Sequence, residues 1–326
     1  MNSVTENHEY SLSLLKDIIN RALDMVPATH PSRRHGALTL PSRRPLFISA
    51  WIGAAGLDRK SELNAIRPKI SQLLSISDLT KLHVTNDGAL LSAGISPRVA
   101  ESSIPIDTGI VFITGTGSFA CGYRLMPNND SPIPVPVDRS GGWGYLLGDE
   151  ASAYHIGRTA VQKALRARDF GLPPTPLHQA IVEHFGSGSV VEVLASIYRS
   201  PQPVSPSTSG TANMNPKSKI ASLCPIVLKL AFPGVGSEQD VEALAIAQES
   251  AAFVVDLVLP LVRADSPLRA STSVLILGGA LAQIEEYRAL IVDALNKRGQ
   301  RFARIEVVKD AASHAISHLV RYYFHG

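Results

Sequence analysis

The segment at 109–125, GIVFITGTGSFACGYRL, constrains the fold more than any other part of the chain. Two apolar runs are separated by Gly115, Thr116, Gly117 and Ser118, which predicts two buried strands joined by a tight turn. Glycine permits a positive φ and lets a ligand approach the backbone amides, and hydroxyl groups are suited to phosphate. The turn is therefore a candidate phosphate-binding site, although a β-turn without a ligand has the same pattern.

Strand and helix patterns alternate through much of the remaining chain, which predicts an α/β fold. The length of 326 residues favours two domains, which we place at 1–106 and 107–326, with the last helix expected to pack back on the first domain. The predicted elements are a helix over 10–25, strands within 45–56 and 81–86, a helix from Gly148 to a stop at Gly171, helices between about 175 and 264, a strand, Gly-Gly turn and helix over 273–295, and a strand and helix over 303–324.

The composition excludes several classes of protein. A net charge of +3, without a basic cluster that would suit nucleic acid or an anionic membrane, favours a small-molecule partner. The two cysteines lie far apart, which indicates neither a disulfide framework nor a metal site. The chain has no secretion signal and no run of 18 apolar residues, so we expect a cytoplasmic protein.

The segment 201–219, PQPVSPSTSGTANMNPKSK, is rich in serine, proline, threonine and asparagine. Such a composition buries little apolar surface, so the segment is predicted to be a disordered surface insertion. Ser200 and Ser205 each precede a proline, which leaves phosphorylation open as an alternative to a plain linker.

A second constellation is the segment from Ser140 to Glu150, SGGWGYLLGDE. Glycines around Trp143, followed by two carboxylates, predict a loop that approaches a ligand closely and accepts hydrogen bonds from its hydroxyl groups, as sugar binding requires. The alternative is that Asp149 and Glu150 only cap the helix predicted from Gly148 and complement its dipole.

Asp87 follows the predicted strand LHVTN. In an open α/β sheet, ligands bind at the carboxyl ends of the strands. A carboxylate there could remove the proton from an attacking hydroxyl group, as phosphoryl transfer to an alcohol requires. A single aspartate in a turn can also serve only to form the turn.

Taken in order, VTNDGALLSAG, VFITGTGS and SGGWGYLLGDEASAYHIGRTA resemble the N-acetylglucosamine kinase branch of the family that includes the BadF/BadG/BcrA/BcrD-type ATPases. The resemblance implies an α/β, two-domain actin/hexokinase-like (ribonuclease H-like) fold that closes on ATP and a sugar. It implies phosphorylation of N-acetylglucosamine at its 6-hydroxyl, with Mg2+ held by ATP oxygens and water rather than by protein ligands. It leaves a homodimer open.

The same resemblance implies roles for individual residues, with Asp87 as the general base. The residues expected on the ATP side are Gly115, Thr116, Gly117, Ala221, Gly278, Gly279 and Ala280. The residues expected on the sugar side are Asn2, Asp87, Ser118, Gly142, Trp143, Gly144, Tyr145, Leu146 and Asp149.

The sequence departs from the family in one major respect. The family's first phosphate loop, of the type DGGGTKT, has no counterpart here, so the first domain is expected to be truncated at its N-terminus, with an unpaired sheet edge. The alternative to a kinase is therefore a homologue that binds a sugar or nucleotide with impaired catalysis. An ATPase that activates a radical dehydratase would need cysteines for an iron–sulfur cluster, and Cys121 and Cys224 are not arranged for one.

Overall fold

The computed structural model describes residues 8–42, 44–54, 57, 60–95, 106–126, 133–199 and 214–325. The chain divides into two compact units. The first unit combines Met1–Ser96, Arg124–Val135 and Asp310–Gly326, and the second combines Pro97–Tyr123 and Pro136–Lys309. The domain boundary at 106/107 stays a prediction, and the segment that ends the chain belongs to the first unit.

Seven strands and ten α-helices lie within the described residues. The strands are β1 (Ala50–Gly53), β2 (Leu82–Thr85), β3 (Thr108–Thr114), β4 (Ser118–Arg124), β5 (Val135–Gly141), β6 (Ser273–Gly278) and β7 (Arg304–Val307). The helices are α1 (His8–Asp24), α2 (Lys60–Leu74), α3 (Ala153–Asp169), α4 (Pro176–His184), α5 (Val190–Tyr198), α6 (Pro216–Ala221), α7 (Cys224–Ala231), α8 (Val241–Val258), α9 (Glu285–Lys297) and α10 (Ala311–His325).

The first unit is built on a parallel pair of strands. β1 and β2 pair from Ala50 opposite Leu82 to Gly53 opposite Thr85, and α2 makes the crossover that parallel strands require. After β2 the chain forms a 3₁₀ helix, Asp87–Gly94, against which α10 packs. The buried core of this unit consists of Leu23, Leu38, Leu40, Leu57, Ile66, Ile70, Leu74, Ile76 and Leu82.

The second unit contains a five-stranded sheet in the order β5-β4-β3-β6-β7. The sequential neighbours β3 and β4 are joined by the GTGS turn, which confirms the predicted strand pair, and β6 is parallel to both β3 and β7. Every residue of β6 is buried, as expected for a strand covered on both faces. The core includes Ile110, Phe112, Ile156, Leu177, Val227, Ile246, Val254, Leu275, Leu277, Tyr287 and Ile291.

One stretch of the described chain, Val241–Val262, is long and apolar enough by composition alone to cross a membrane. It comprises α8 and the 3₁₀ turn that follows. Ile246, Val254 and Val258 on this helix are fully buried, and α8 packs against α7 and α9. These contacts identify α8 as a core helix of the second unit, since a helix that is apolar on most sides is typical of a domain interior.

Two sequence-based predictions about helices were wrong. The helix predicted from Gly148 begins at Ala153, because Ser152 is its N-cap and accepts a hydrogen bond from the N–H of His155 at 3.2 Å. The predicted disordered insertion at 201–219 overlaps the first four residues of α6, and Lys219 among them is only 2% exposed. Residues 201–213 lie outside the described residues, so the prediction of disorder stays untested there.

Candidate functional site

The GTGS turn is narrow and open on its outer side. The N–H of Gly115 donates to the carbonyl of Gly117 at 3.0 Å, which closes the turn. Thr116 at its tip is exposed, and a Cβ built on Gly115 would meet nothing within 4 Å. A ligand can therefore approach the backbone of this turn.

The turn that follows β6 lies directly beside the GTGS turn. Ile113 on β3 is paired with Gly278 on β6, so both strands end at the same level. Gly279 has a φ of +93°, and a Cβ at this position would lie 2.2 Å from the carbonyl oxygen of Thr114. Only glycine permits this approach. The structure thus brings together two segments expected on the ATP side, 115–117 and 278–280.

A loop formed by residues 149–153, which we call the Asp149 loop, is tied to the GTGS turn. Four hydrogen bonds connect residues 114–118 with this loop. They run from the Ser118 N–H to Asp149 Oδ1 (3.2 Å), from the Ser118 hydroxyl to the Glu150 carbonyl, from the Thr114 hydroxyl to the Ala151 carbonyl (2.6 Å) and from the Ala153 N–H to the Gly115 carbonyl (2.8 Å).

Asp149 is not a helix cap. It has a left-handed backbone, with φ of +67°, and its side chain is 4% exposed. The role of N-cap belongs to Ser152, whose hydroxyl also donates to the Asp149 carbonyl at 2.5 Å. The capping alternative for Asp149 and Glu150 is therefore wrong.

The partner of the Asp149 carboxylate is Lys217, a residue that the sequence analysis missed. Its Nζ lies 2.7 Å from Asp149 Oδ2 and 5.8 Å from the centre of the Tyr145 ring. A buried carboxylate needs such a partner, because an unpaired charge with little access to water costs several kcal/mol. The Lys217 side chain is 26% exposed, so this partner is less buried than the carboxylate that it neutralises.

α6 holds Lys217 in place through contacts on two sides. Gly157 of α3 lies so close to α6 that a Cβ there would be 2.0 Å from the Ile220 carbonyl. Lys219 Nζ donates to the carbonyls of Ser196 and Arg199 at the end of α5, at 2.9 and 2.8 Å. The sequence carries a signal for this helix, since Asn215 followed by Pro216 is typical of a helix start.

The glycine-rich loop before Asp149 exposes large apolar side chains. Trp143 is 66% exposed and Leu146 is 78% exposed. Gly142 and Gly144 have φ of +72° and +81°, respectively. The Arg139 guanidinium lies 5.6 Å from the centre of the Trp143 ring. The loop thus presents an aromatic face beside polar backbone, a combination suited to a sugar.

Asp87 lies in the first unit, immediately after β2, and its side chain is exposed. Asn86 is the N-cap of the 3₁₀ helix and accepts from the Gly88 N–H at 2.8 Å. Asp87 Oδ1 shares that N–H at 2.9 Å. Gly53 allows this turn to approach β1, since a Cβ there would lie 2.9 Å from the Asp87 Cα.

For three other predicted residues the structure shows no open position for a ligand contact. Asn2 lies outside the described residues. Ala221 is at the end of α6 and buried, at 9% exposure. Ser118 is buried, and its hydroxyl is used by the Glu150 carbonyl. Their predicted ligand contacts stay predictions.

Comparison with known proteins agrees with these features. No family model matches the chain. It is 33% identical over 150 residues to the N-acetylmuramic acid/N-acetylglucosamine kinase of Clostridium acetobutylicum, covering 46% of this chain and 42% of that protein. It is 32% identical over 136 residues to the N-acetyl-D-glucosamine kinase of Dictyostelium discoideum, covering 41% of this chain and 37% of that protein.

Over these matched regions the chain is similar to two enzymes named as N-acetylglucosamine kinases. The matched regions cover about two fifths of the length of these two relatives.

Two solved structures extend the similarity to the fold. A Porphyromonas gingivalis protein, provisionally described as an N-acetylglucosamine kinase, superposes with a TM-score of 0.62 at 18% identity, covering 100% of this chain and 89% of that one. A Chromobacterium violaceum protein with the same provisional description gives 0.51 at 21% identity, over 83% of this chain and 75% of that one. The chain therefore shares its fold with these two proteins, which agrees with the α/β fold that the sequence resemblance implied.

Proposed function

We propose that this chain is an ATP-dependent amino-sugar kinase of the cytoplasm. It transfers the γ-phosphoryl group of ATP to the 6-hydroxyl of N-acetylglucosamine, giving N-acetylglucosamine 6-phosphate and ADP. The observation that carries the proposal is the set of four hydrogen bonds that joins the open GTGS turn to the buried Asp149 loop. The similarity to enzymes named for N-acetylglucosamine supports the choice of sugar.

The residues on the ATP side fit a nucleotide. An exposed threonine at the tip of a glycine turn, with open space beside Gly115, offers a hydroxyl group and backbone amides to phosphate oxygens. Gly279 brings a second glycine turn against the first without a side chain between them. ATP supplies the phosphoryl group when it is bound, and Mg2+ would enter with its phosphate oxygens and water.

The residues on the sugar side fit a polar, hydroxylated ligand. Asp149 is fixed at both carboxylate oxygens, yet each oxygen of a carboxylate has a second lone pair that can accept from a sugar hydroxyl. Trp143 supplies an exposed aromatic face in the same loop. These positions support a role for Asp149 in binding the sugar hydroxyl groups and a role for Trp143 in apolar contact with the sugar ring.

Asp87 is the proposed general base. Its carboxylate is exposed after β2, and helix capping at this turn is carried by Asn86, so the turn does not depend on Asp87 alone. We propose that Asp87 accepts the proton of the 6-hydroxyl as that oxygen attacks phosphorus. General bases of this kind contribute about 10²- to 10⁴-fold to a rate.

The test is coupled ADP release by the purified protein with ATP and Mg2+. N-acetylglucosamine, N-acetylmuramic acid, glucose and no sugar are compared, since the name of one relative includes both amino sugars. We expect release that depends on an amino sugar, and a loss of about 10²-fold or more in kcat for Asp87→Asn. Asp17→Asn makes the same change at an exposed position on α1 and should leave kcat unchanged.

Two outcomes would contradict the proposal. ADP release that is independent of sugar would indicate an ATPase rather than a sugar kinase. Stabilisation of the protein by N-acetylglucosamine without any ADP release would favour the alternative reached from the sequence, a homologue that binds without phosphoryl transfer.

A further inference from the structure

The Lys217–Asp149 pair connects a helix with a ligand loop. Asp149 lies in the loop joined to the GTGS turn, and Lys217 lies on α6, which packs against α3 and α5. Both groups belong to the second unit. The pair is nearly excluded from water on the Asp149 side, where the side chain is 4% exposed.

The carboxylate of Asp149 has two anchors of different kinds. Oδ1 accepts from the backbone N–H of Ser118 at 3.2 Å, and Oδ2 accepts from Lys217 Nζ at 2.7 Å. The first anchor cannot be removed by changing a side chain at residue 118. The hydrogen bond from Lys217 is the shorter of the two and joins two charged groups, which makes it the stronger one. Lys217 therefore decides where Oδ2 points.

The backbone conformation of the Asp149 loop needs contacts with the rest of the unit to stabilise it. Asp149 and Ala151 both have positive φ, of +67° and +61°. A left-handed conformation costs an L-residue, and alanine has no side-chain group to offset that cost, so such a conformation persists only when the surroundings enforce it. The hydrogen bonds to residues 114, 115 and 118 and the bond from the Ser152 hydroxyl to the Asp149 carbonyl constrain this backbone, and the ion pair with Lys217 adds a charged contact at the Asp149 side chain.

We infer that Lys217 is a positioning residue: it fixes the Asp149 carboxylate, and with it the Asp149 loop, in the conformation that receives the sugar. Lys217 acts through Asp149 rather than on the phosphoryl group. Its loss should therefore weaken sugar binding while leaving nucleotide binding nearly intact. The inference rests on the proposed function for the identity of the sugar.

The first arm of the test does not need turnover. Hydrogen exchange of the amides at 143–152 is compared in the wild type, Lys217→Met, Lys217→Arg and Lys229→Met. Lys229 is an exposed lysine on α7, so its variant controls for loss of one charge. We expect faster exchange in Lys217→Met alone, with Lys217→Arg close to the wild type. Unchanged exchange in Lys217→Met would overturn the inference, even if the protein proved not to be a kinase.

The second arm separates positioning from a general structural role. We expect Lys217→Met to raise the KM for N-acetylglucosamine about tenfold or more, since hydrogen bonds to charged groups contribute on that order. The KM for ATP should change by less than about twofold, and Lys217→Arg should restore most of the sugar KM. A rise in the ATP KM with an unchanged sugar KM would contradict the inference.

A double-mutant comparison shows whether Lys217 acts through Asp149. In an Asp149→Asn background, Lys217→Met should add little to the sugar KM, because the group that it positions has already been altered. Independent, multiplicative effects of the two substitutions would exclude this route. If the wild type shows no sugar-dependent ADP release, the proposed function fails, and hydrogen exchange alone decides the role of Lys217.

Discussion

At the scale of single residues, His83 on β2 makes the stability of the first unit sensitive to acid. Burial, and to a smaller extent the charge of Arg67, lowers the pKa of His83 from 6.5 to about 4. Its Nε2 is buried without a hydrogen-bond partner among the described residues. The unfolded chain therefore binds a proton more tightly at this residue than the folded chain does.

Because the unfolded chain binds this proton more tightly, acid favours the unfolded state at His83. The contribution of neutral His83 to the free energy of unfolding is complete above about pH 6.5 and is lost as the pH falls toward 4. We expect His83→Gln to flatten the decline in stability between these pH values, measured by urea denaturation at several pH values. His30→Gln, at an exposed position, should keep the wild-type slope. An equal slope in His83→Gln and the wild type would contradict the prediction.

Residue-level reasoning from the sequence succeeded where local chemistry dominates. The tight turn between β3 and β4 was predicted from its glycines, but the positive φ expected there is not observed, since Gly115 and Gly117 are not among the glycines with positive φ. The positive φ values occur instead at Gly141, Gly142 and Gly144, after Ser140. The burial of Ser118 and the left-handed Asp149 could not be predicted in this way. Both depend on hydrogen bonds between segments about 30 residues apart in sequence, at 114–118 and 149–153.

At the scale of elements, α6 shows how a buried charge can organise a short helix. It has six residues, too few to be stable by itself. Lys219 is 2% exposed and donates to two carbonyls at the C-terminal end of α5, where a positive charge also complements the helix dipole. The end of α5 and the whole of α6 are thereby held together.

We expect Lys219→Met to lower the free energy of unfolding by about 2 kcal/mol, because two carbonyls lose a charged donor while the apolar stem is retained. Lys229→Met, at an exposed position on α7, should change it by less than about 0.5 kcal/mol. Chemical denaturation of the two variants makes the comparison. Equal stability of both variants would show that water replaces the ammonium group at the α5 carbonyls.

α6 also shows the limit of compositional reasoning. The polar residues of 201–219 predicted disorder for the whole segment, yet its last part is a helix with an Asn-Pro start. The error arose because the composition was judged over the whole segment 201–219, whose last residues form a helix and therefore differ from the rest. The elements β6, α8 and α9 were predicted correctly, because their apolar residues recur with a regular strand or helix spacing over the whole element.

At the scale of the whole molecule, each compact unit has its own buried core. Leu82 is fully buried in the core of the first unit, and Leu275 is fully buried in that of the second. The sequence anticipated two domains but divided them at one point in the chain. The observed units are discontinuous, because Asp310–Gly326 packs with the first unit after the chain has completed the second. The sequence analysis had expected the last helix to pack back on the first domain, although it gave the two domains one boundary at 106/107.

The probes needed to follow the two units separately are already present in the chain. Trp51 lies in the first unit, and its indole N–H donates to the Thr85 hydroxyl at 3.0 Å. Cys121 and Cys224 both lie in the second unit and are buried. Burial raises the pKa of Cys224 to about 12, so this thiol is unreactive while the unit is folded.

We expect the two units to respond separately to substitutions in their cores. In a Trp143→Phe background, Leu82→Ala should destabilise the unfolding transition seen by Trp51 fluorescence by about 2–5 kcal/mol, as buried leucines of this kind do. The urea dependence of thiol labelling should stay unchanged. Leu275→Ala is the matched control and should shift thiol labelling instead. If both probes shift together in both variants, the two cores unfold in one cooperative step, which would contradict the prediction. The two units would then be compact regions of the native state and not separate folding units.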